Sequence, residues 1–132
     1  MKRYLLLLFV VSISVLACSK DDRTEVEFDL TSSEFKSINA LGFPYQYPDE
    51  NGKLVEGVWY RYIVYKFYND STCSISLHNV EDNKLASVVQ AEYSLNSLDI
   101  TIIFQDGVIK KGKVFLIADQ VKLLIDSSYF KK

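Results

Sequence analysis

At 132 residues, 48% hydrophobic and 14% aromatic, the chain suits one folded domain and is too apolar for intrinsic disorder. Five glycines and two prolines exclude a fibrous repeat, and two cysteines exclude a disulfide scaffold. A net charge of -2, from 15 basic and 17 acidic side chains, argues against a nucleic-acid binder.

Met1-Lys2-Arg3 is a short basic start, followed from Tyr4 to Leu16 by an uncharged apolar run. As a helix that run would rise about 20 Å, against a hydrocarbon core of roughly 30 Å, so residues 1–17 are expected to be a signal peptide rather than a membrane span. Val15-Leu16-Ala17-Cys18 resembles the lipobox of bacterial lipoproteins. The resemblance implies cleavage before Cys18, a diacylglyceryl group on its thiol and acylation of the new amino terminus, with the membrane as a partner through this N-terminal lipid. Residues 18–25, the lipidated cysteine and a polar tether, include Ser19-Lys20-Asp21-Asp22, similar to the export signal of lipoproteins carried to the outer face of the outer membrane. Without residues 1–17 there are 13 basic against 17 acidic side chains, a charge of -4. A lipidated Cys18 leaves Cys73 without a disulfide partner in the chain.

Residues 26–132 are expected to form one β domain. Val26 to Leu30 alternates apolar and polar side chains and is expected to be a short strand. Thr31 and Glu34 have capping-box spacing, with Leu30 and Phe35 at staple positions, Phe35, Ile38 and Leu41 on one face and Gly42 as a stop. This predicts one short N-terminal helix over residues 32–41 that buttresses a sheet. Phe43 to Gly52 is expected to be a loop stiffened by Pro44 and Pro48. Its three aromatic rings either stack on a ligand such as a sugar or cover the end of a core.

Farther on, alternating runs are separated by Asn69-Asp70, Asp82-Asn83, Asn96-Ser97, Asp106-Gly107 and Asp119-Gln120. That spacing predicts successive hairpins, with Asp106-Gly107 as a type I′ turn. Cys73, Ile75 and Leu77 alternate with Ser74, Ser76 and His78, and Leu98, Ile100, Ile102 and Phe104 repeat the pattern. The fold class is therefore mainly β: an antiparallel up-and-down meander closing into a small barrel or packing as a sandwich. Six strands run from Trp59 to Ile125, and Val26–Leu30 with Leu54–Val58 bring the count to eight. Lys110, Lys111 and Lys113 around Gly112 are expected to guard a sheet edge.

Gly57-Val58-Trp59, Phe67 to Thr72, Tyr93 to Leu98 and Ile102 to Gly107 resemble segments of the small bacterial lipocalin-like domains. The resemblance implies a lipocalin-like barrel with the Trp59 indole across its floor, although the arginine that lipocalins usually carry on a late strand has no counterpart, the arginines here being Arg3, Arg23 and Arg61. It further implies a non-enzymatic binder of a small apolar ligand, lined by Trp59, Ile75, Leu77, Tyr93, Ile100, Ile102 and Phe104. An eight-stranded barrel either holds one small ligand or is filled by its own side chains.

No catalytic residue, metal site or cofactor is expected. His78 is the single histidine, and its parity along the strand sets it on the face opposite Cys73, so neither a triad nor a Cys-His pair can be built. The alternative to ligand binding is a structural or interaction lipoprotein with a filled core. It would dock an envelope protein or a glycan through its aromatic strand and loop, with Tyr45, Tyr47, Tyr62 and Tyr65 as one exposed patch.

Overall fold

The computed structural model describes residues 26–132, which hold nine β-strands: β1 Glu34–Ser37, β2 Leu41–Pro48, β3 Leu54–Phe67, β4 Thr72–Asn79, β5 Leu85–Asn96, β6 Asp99–Phe104, β7 Ile109–Ile117, β8 Gln120–Ile125 and β9 Ser128–Lys131. The expected signal peptide 1–17, Cys18 and the tether 18–25 lie outside the described residues. Every pairing is antiparallel, and β3 to β9 follow one another as a meander. β1 pairs with β9 on one side and with β3 on the other, so β1 and β3 to β9 close into an eight-stranded barrel. β2 stays outside the ring, paired only with β3.

The six strands expected between Trp59 and Ile125 are β3 to β8, and all five turn pairs fall in or beside the links between them. Two links have both central residues in the left-handed region, Ala118-Asp119 at φ 49 and 62 and Asp126-Ser127 at φ 48 and 63. These are the two-residue type I′ turns that suit twisted hairpins. Asp106-Gly107 differs from expectation: the Gly107 N–H donates to Phe104 O at 3.0 Å and only Gly107 has positive φ, which gives a longer loop.

The expected helix over residues 32–41 is replaced by a turn, β1 and the start of β2. Ser33, Phe35 and Ser37 are buried at period two, and β1 occupies ladder positions on both β3 and β9. The serines suit this arrangement: Ser33 Oγ donates to Leu30 O, and Ser37 Oγ accepts the Ile63 N–H at 3.1 Å. A helix would have docked three apolar side chains and left the barrel open. Val26 to Leu30 is not a strand, and Leu54–Val58 is the beginning of β3 rather than a separate one. β1 and β9 complete the ring instead. The lysines of β7 do not guard an edge, since β7 is paired on both sides; Lys110 and Lys113 bond Asp126 at 2.5 Å and Asp99 at 2.7 Å.

The inward rows form one core that includes Phe35, Tyr65, Phe67, Cys73, Tyr93, Ile102, Leu123 and Phe130. Phe67 meets Phe35 and Tyr93 edge to face at centroid distances of 6.0 and 4.7 Å, and Tyr65 meets Phe130 at 4.9 Å, geometries that aromatic quadrupoles favour. One end of the barrel is capped by residues 28–33. Leu30 is buried in the core, the Asp29 carboxylate accepts the Thr31 N–H at 2.8 Å, and the Phe67 N–H bonds Ser33 O at 2.9 Å. Thr31 holds the Asp29 carboxyl below its usual range, through the backbone bond first and its side chain second. The opposite end carries the feature that distinguishes this barrel.

Candidate docking surface

β3 has 14 residues, and only its second half belongs to the ring. β4 pairs with β3 from Arg61 onward and the Val80 N–H beyond it reaches Tyr60 O at 3.3 Å, so Leu54 to Trp59 are held by β2 alone. At about 3.3 Å per residue, this hairpin stands roughly 20 Å beyond the end of β4. Its capacity to pair despite two prolines follows from ladder geometry. The Asp49 N–H donates to Lys53 O at 2.9 Å, so the alternate pairs Pro48–Leu54 and Pro44–Val58 exchange no hydrogen bonds. Neither proline removes a ladder bond, and the missing N–H groups lie on the outer edge of β2, where they discourage a further strand.

Residues opposite one another share a face. Phe43, Tyr45 and Tyr47 of β2 therefore sit with Val55, Gly57 and Trp59 of β3, in the row that continues through Ile63, Tyr65 and Phe67 into the core. The Tyr45 ring lies over Gly57, where an added Cβ would come within 2.7 to 2.9 Å of it. Tyr45 stacks on Tyr47 at 5.5 Å and meets Trp59 edge to face at 4.9 Å. The Arg61 guanidinium lies 4.7 Å from the indole centroid, and Arg61 Nε donates to Asn79 Oδ1 at 3.2 Å, which ties the cluster to β4. Trp59 is 42% exposed and is thus not a barrel floor. The reverse face exposes large apolar side chains as well, Leu54, Val58 and Tyr60 at 62, 56 and 63%, around the exposed pair Gln46 and Glu56.

No protein-family model, curated protein or solved structure matches this chain. Function is therefore argued from the geometry. Of the seven residues expected to line a ligand cavity, Ile75, Tyr93, Ile100 and Ile102 are buried in the common core, with Phe104 packed against it. Leu77 is half-buried at its rim and Trp59 stands on the hairpin. Tyr93 also borders a hollow of about 740 Å³ at the capped end, shared with Phe28, Asp29, Asp70 and Asn96, and its hydroxyl donates to Asn69 O at 2.6 Å. Burial, then the charges of Asp29 and Asp70, raise the Tyr93 pKa. Phe104 borders an outer groove of about 360 Å³ with Gln90 and Ile103. The structure thus spreads the seven over core, rim and hairpin.

Cys73 is fully buried, which pushes its thiol up to about 11. His78 lies outside the barrel wall, with Nε2 3.1 Å from Ser76 Oγ and Nδ1 3.3 Å from Asn83 O, so it braces the β4–β5 link. Among the described residues no group of three or more His, Cys, Asp or Glu is placed to hold a metal. Of the expected aromatic patch, Tyr45 and Tyr47 are exposed on the hairpin, Tyr62 is half-buried beneath Lys36, whose Nζ is 4.2 Å from the ring centroid, and Tyr65 is buried. The hairpin was legible in principle, because aromatic residues at 43, 45 and 47 alternate with prolines at 44 and 48.

Proposed function

We propose that this chain is a lipid-anchored envelope protein, attached through Cys18 at the outer membrane, whose barrel is a scaffold for a non-enzymatic docking hairpin. One observation carries the reading: the β2–β3 hairpin stands clear of the ring and exposes large apolar side chains on both faces. A stacked sugar needs only one aromatic face, whereas a protein groove can cover both, so an envelope protein is the favoured partner over a glycan. The residue types agree, since Trp, Tyr and Arg dominate the energetics of protein interfaces. A photo-crosslinking amino acid replacing Tyr60 or Val58 in cells is expected to give a discrete adduct that Trp59→Ala weakens. The same group replacing Leu116, on β7, is the control; equal labelling there, or none at either hairpin position, would overturn the reading.

The second reading is a lipocalin-like binder of a small apolar ligand, favoured by the closed eight-stranded barrel. The packed core leaves it less support than the hairpin gives to docking. Native mass spectrometry of the protein isolated from its own envelope tests it, a co-purified apolar molecule being the expected result and a bare chain the contrary one.

A further inference from the structure

The wall made by β7, β8, β9, β1 and the ring half of β3 is basic in an acidic domain. Residues 26–132 carry 11 basic and 14 acidic side chains. Ser37, Tyr65, Val114, Leu123 and Phe130 are buried, so alternation turns Lys36, Lys66, Lys111, Lys113, Lys122 and Lys131 outward on this wall. Glu34 is the one acid in these strand segments, with Asp119 and Asp126 in turns at the two ends. The register sets three of the lysines side by side: Lys131 stands opposite Lys122 on one side and opposite Lys36 on the other. Side chains so placed have Cβ atoms about 5 Å apart, where like charges weaken the pairing. Among the described residues the ion pairs engage Lys84, Lys110 and Lys113 and none of these three.

Such a row is uncompensated in the free domain and complete once an anion covers it. Its surroundings select a lipid surface. Phe115 lies opposite Lys122 and meets Tyr129 edge to face at 6.0 Å, and Tyr62 lies beneath Lys36, so rings alternate with ammonium groups. Tyrosine settles at the headgroup level of a bilayer, and lysine is drawn to its anionic lipids. Chain length agrees. β1 leads straight out of the capping residues 28–33, so the row lies on the half of the barrel from which the chain runs back to Cys18. Cys18 stands eight residues before Val26, a span of at most about 29 Å, which keeps this wall within reach of the headgroups. We propose that the row of Lys122, Lys131 and Lys36 lays the barrel wall against the phosphate groups of anionic lipids in the membrane that holds Cys18. The proposal rests on the anchoring through Cys18 and not on the hairpin. A lipid anchor and a basic patch together are the two signals that fix a domain on a membrane, and the short tether lets a few lysines suffice.

The test uses the protein isolated from its own envelope and reconstituted into vesicles of phosphatidylcholine alone, or with about 30% phosphatidylglycerol. The acetylation rate of each lysine is read by mass spectrometry. Lys36, Lys122 and Lys131 are expected to react several-fold more slowly on the phosphatidylglycerol vesicles, and about 0.5 M salt should remove the difference. Lys53 and Lys84, exposed at the opposite end of the barrel, should react equally on both. Lys131→Glu sets a carboxylate between two lysines, so its thermal midpoint should be no lower than the native one while the protection of Lys36 and Lys122 is lost. Equal rates on both vesicles, or protection that survives Lys131→Glu, would overturn the proposal. The same protection from inorganic phosphate on phosphatidylcholine would overturn it in favour of a free anion, and protection in whole envelopes but on neither vesicle in favour of an acidic protein or glycan. The mass of the N-terminal peptide reports the Cys18 lipid separately. An unlipidated chain would overturn the anchoring and this proposal with it, whereas a lipidated chain without protection overturns this proposal alone.

Discussion

Gly112 of β7 sits between Ile100 and Ile125, in a row where a side chain has nowhere to go. A Cβ there would run into the Leu124 carbonyl and come within 2.8 Å of Ile125 Cγ1, so the strands approach closely only because the residue is glycine. Gly112→Ala is expected to destabilise the barrel by about 1–3 kcal/mol, read as a lower midpoint in thermal or denaturant unfolding. Alkaline pH should act through three other residues. Burial raises the pKa of Tyr65, Tyr93 and Cys73, so each stays neutral in the folded chain after its unfolded counterpart has ionised. Their contribution is complete below the unfolded values of 9 to 10 and is lost as pH climbs through the folded ones. Thermal midpoints measured between pH 8 and 11 should therefore fall, and Tyr65→Phe should flatten that fall. An unchanged slope in Tyr65→Phe would show that the phenol does not titrate against the core.

Strands that close the ring and the strand that does not should respond differently to truncation. Phe35 on β1 is buried against Phe67, and β1 holds both β3 and β9. Phe35→Ala is expected to cost about 3–5 kcal/mol, whereas Trp59→Ala, at a position 42% exposed on β2's partner segment, should leave the barrel within about 1 kcal/mol of the native chain. Denaturant titration followed by far-UV circular dichroism separates the two. The same contrast explains which elements were legible. β3 to β8 carry period-two patterns between turn pairs, and those signals are local. β1 has four residues and a serine-rich start that reads equally as a helix cap, so only its long-range pairing with β3 and β9 decides its state. β9, Ser128–Lys131, is too short to announce itself without the Asp126-Ser127 turn that folds it back.

At the scale of the molecule, the alternation in the sequence told which side chains face inward but not where the ring ends. Trp59 and Tyr65 share one row of β3, yet one is half outside and the other fully enclosed, because β4 starts pairing only at Arg61. That staggered start is a property of eight strands closing together and cannot be read from any one of them. It also gives the chain two optical reporters that watch different regions. The single tryptophan sits on the hairpin beside Tyr45 and Arg61, whereas Tyr65 and Tyr93 are locked inside the ring. Indole emission therefore follows the docking of the hairpin on itself, and near-ultraviolet dichroism of the buried tyrosines follows the ring. A strand held on one side only opens at lower free energy than strands held on both. The emission should change at milder denaturant than the dichroism, and an unfolding curve taken from fluorescence alone would understate the stability of the barrel.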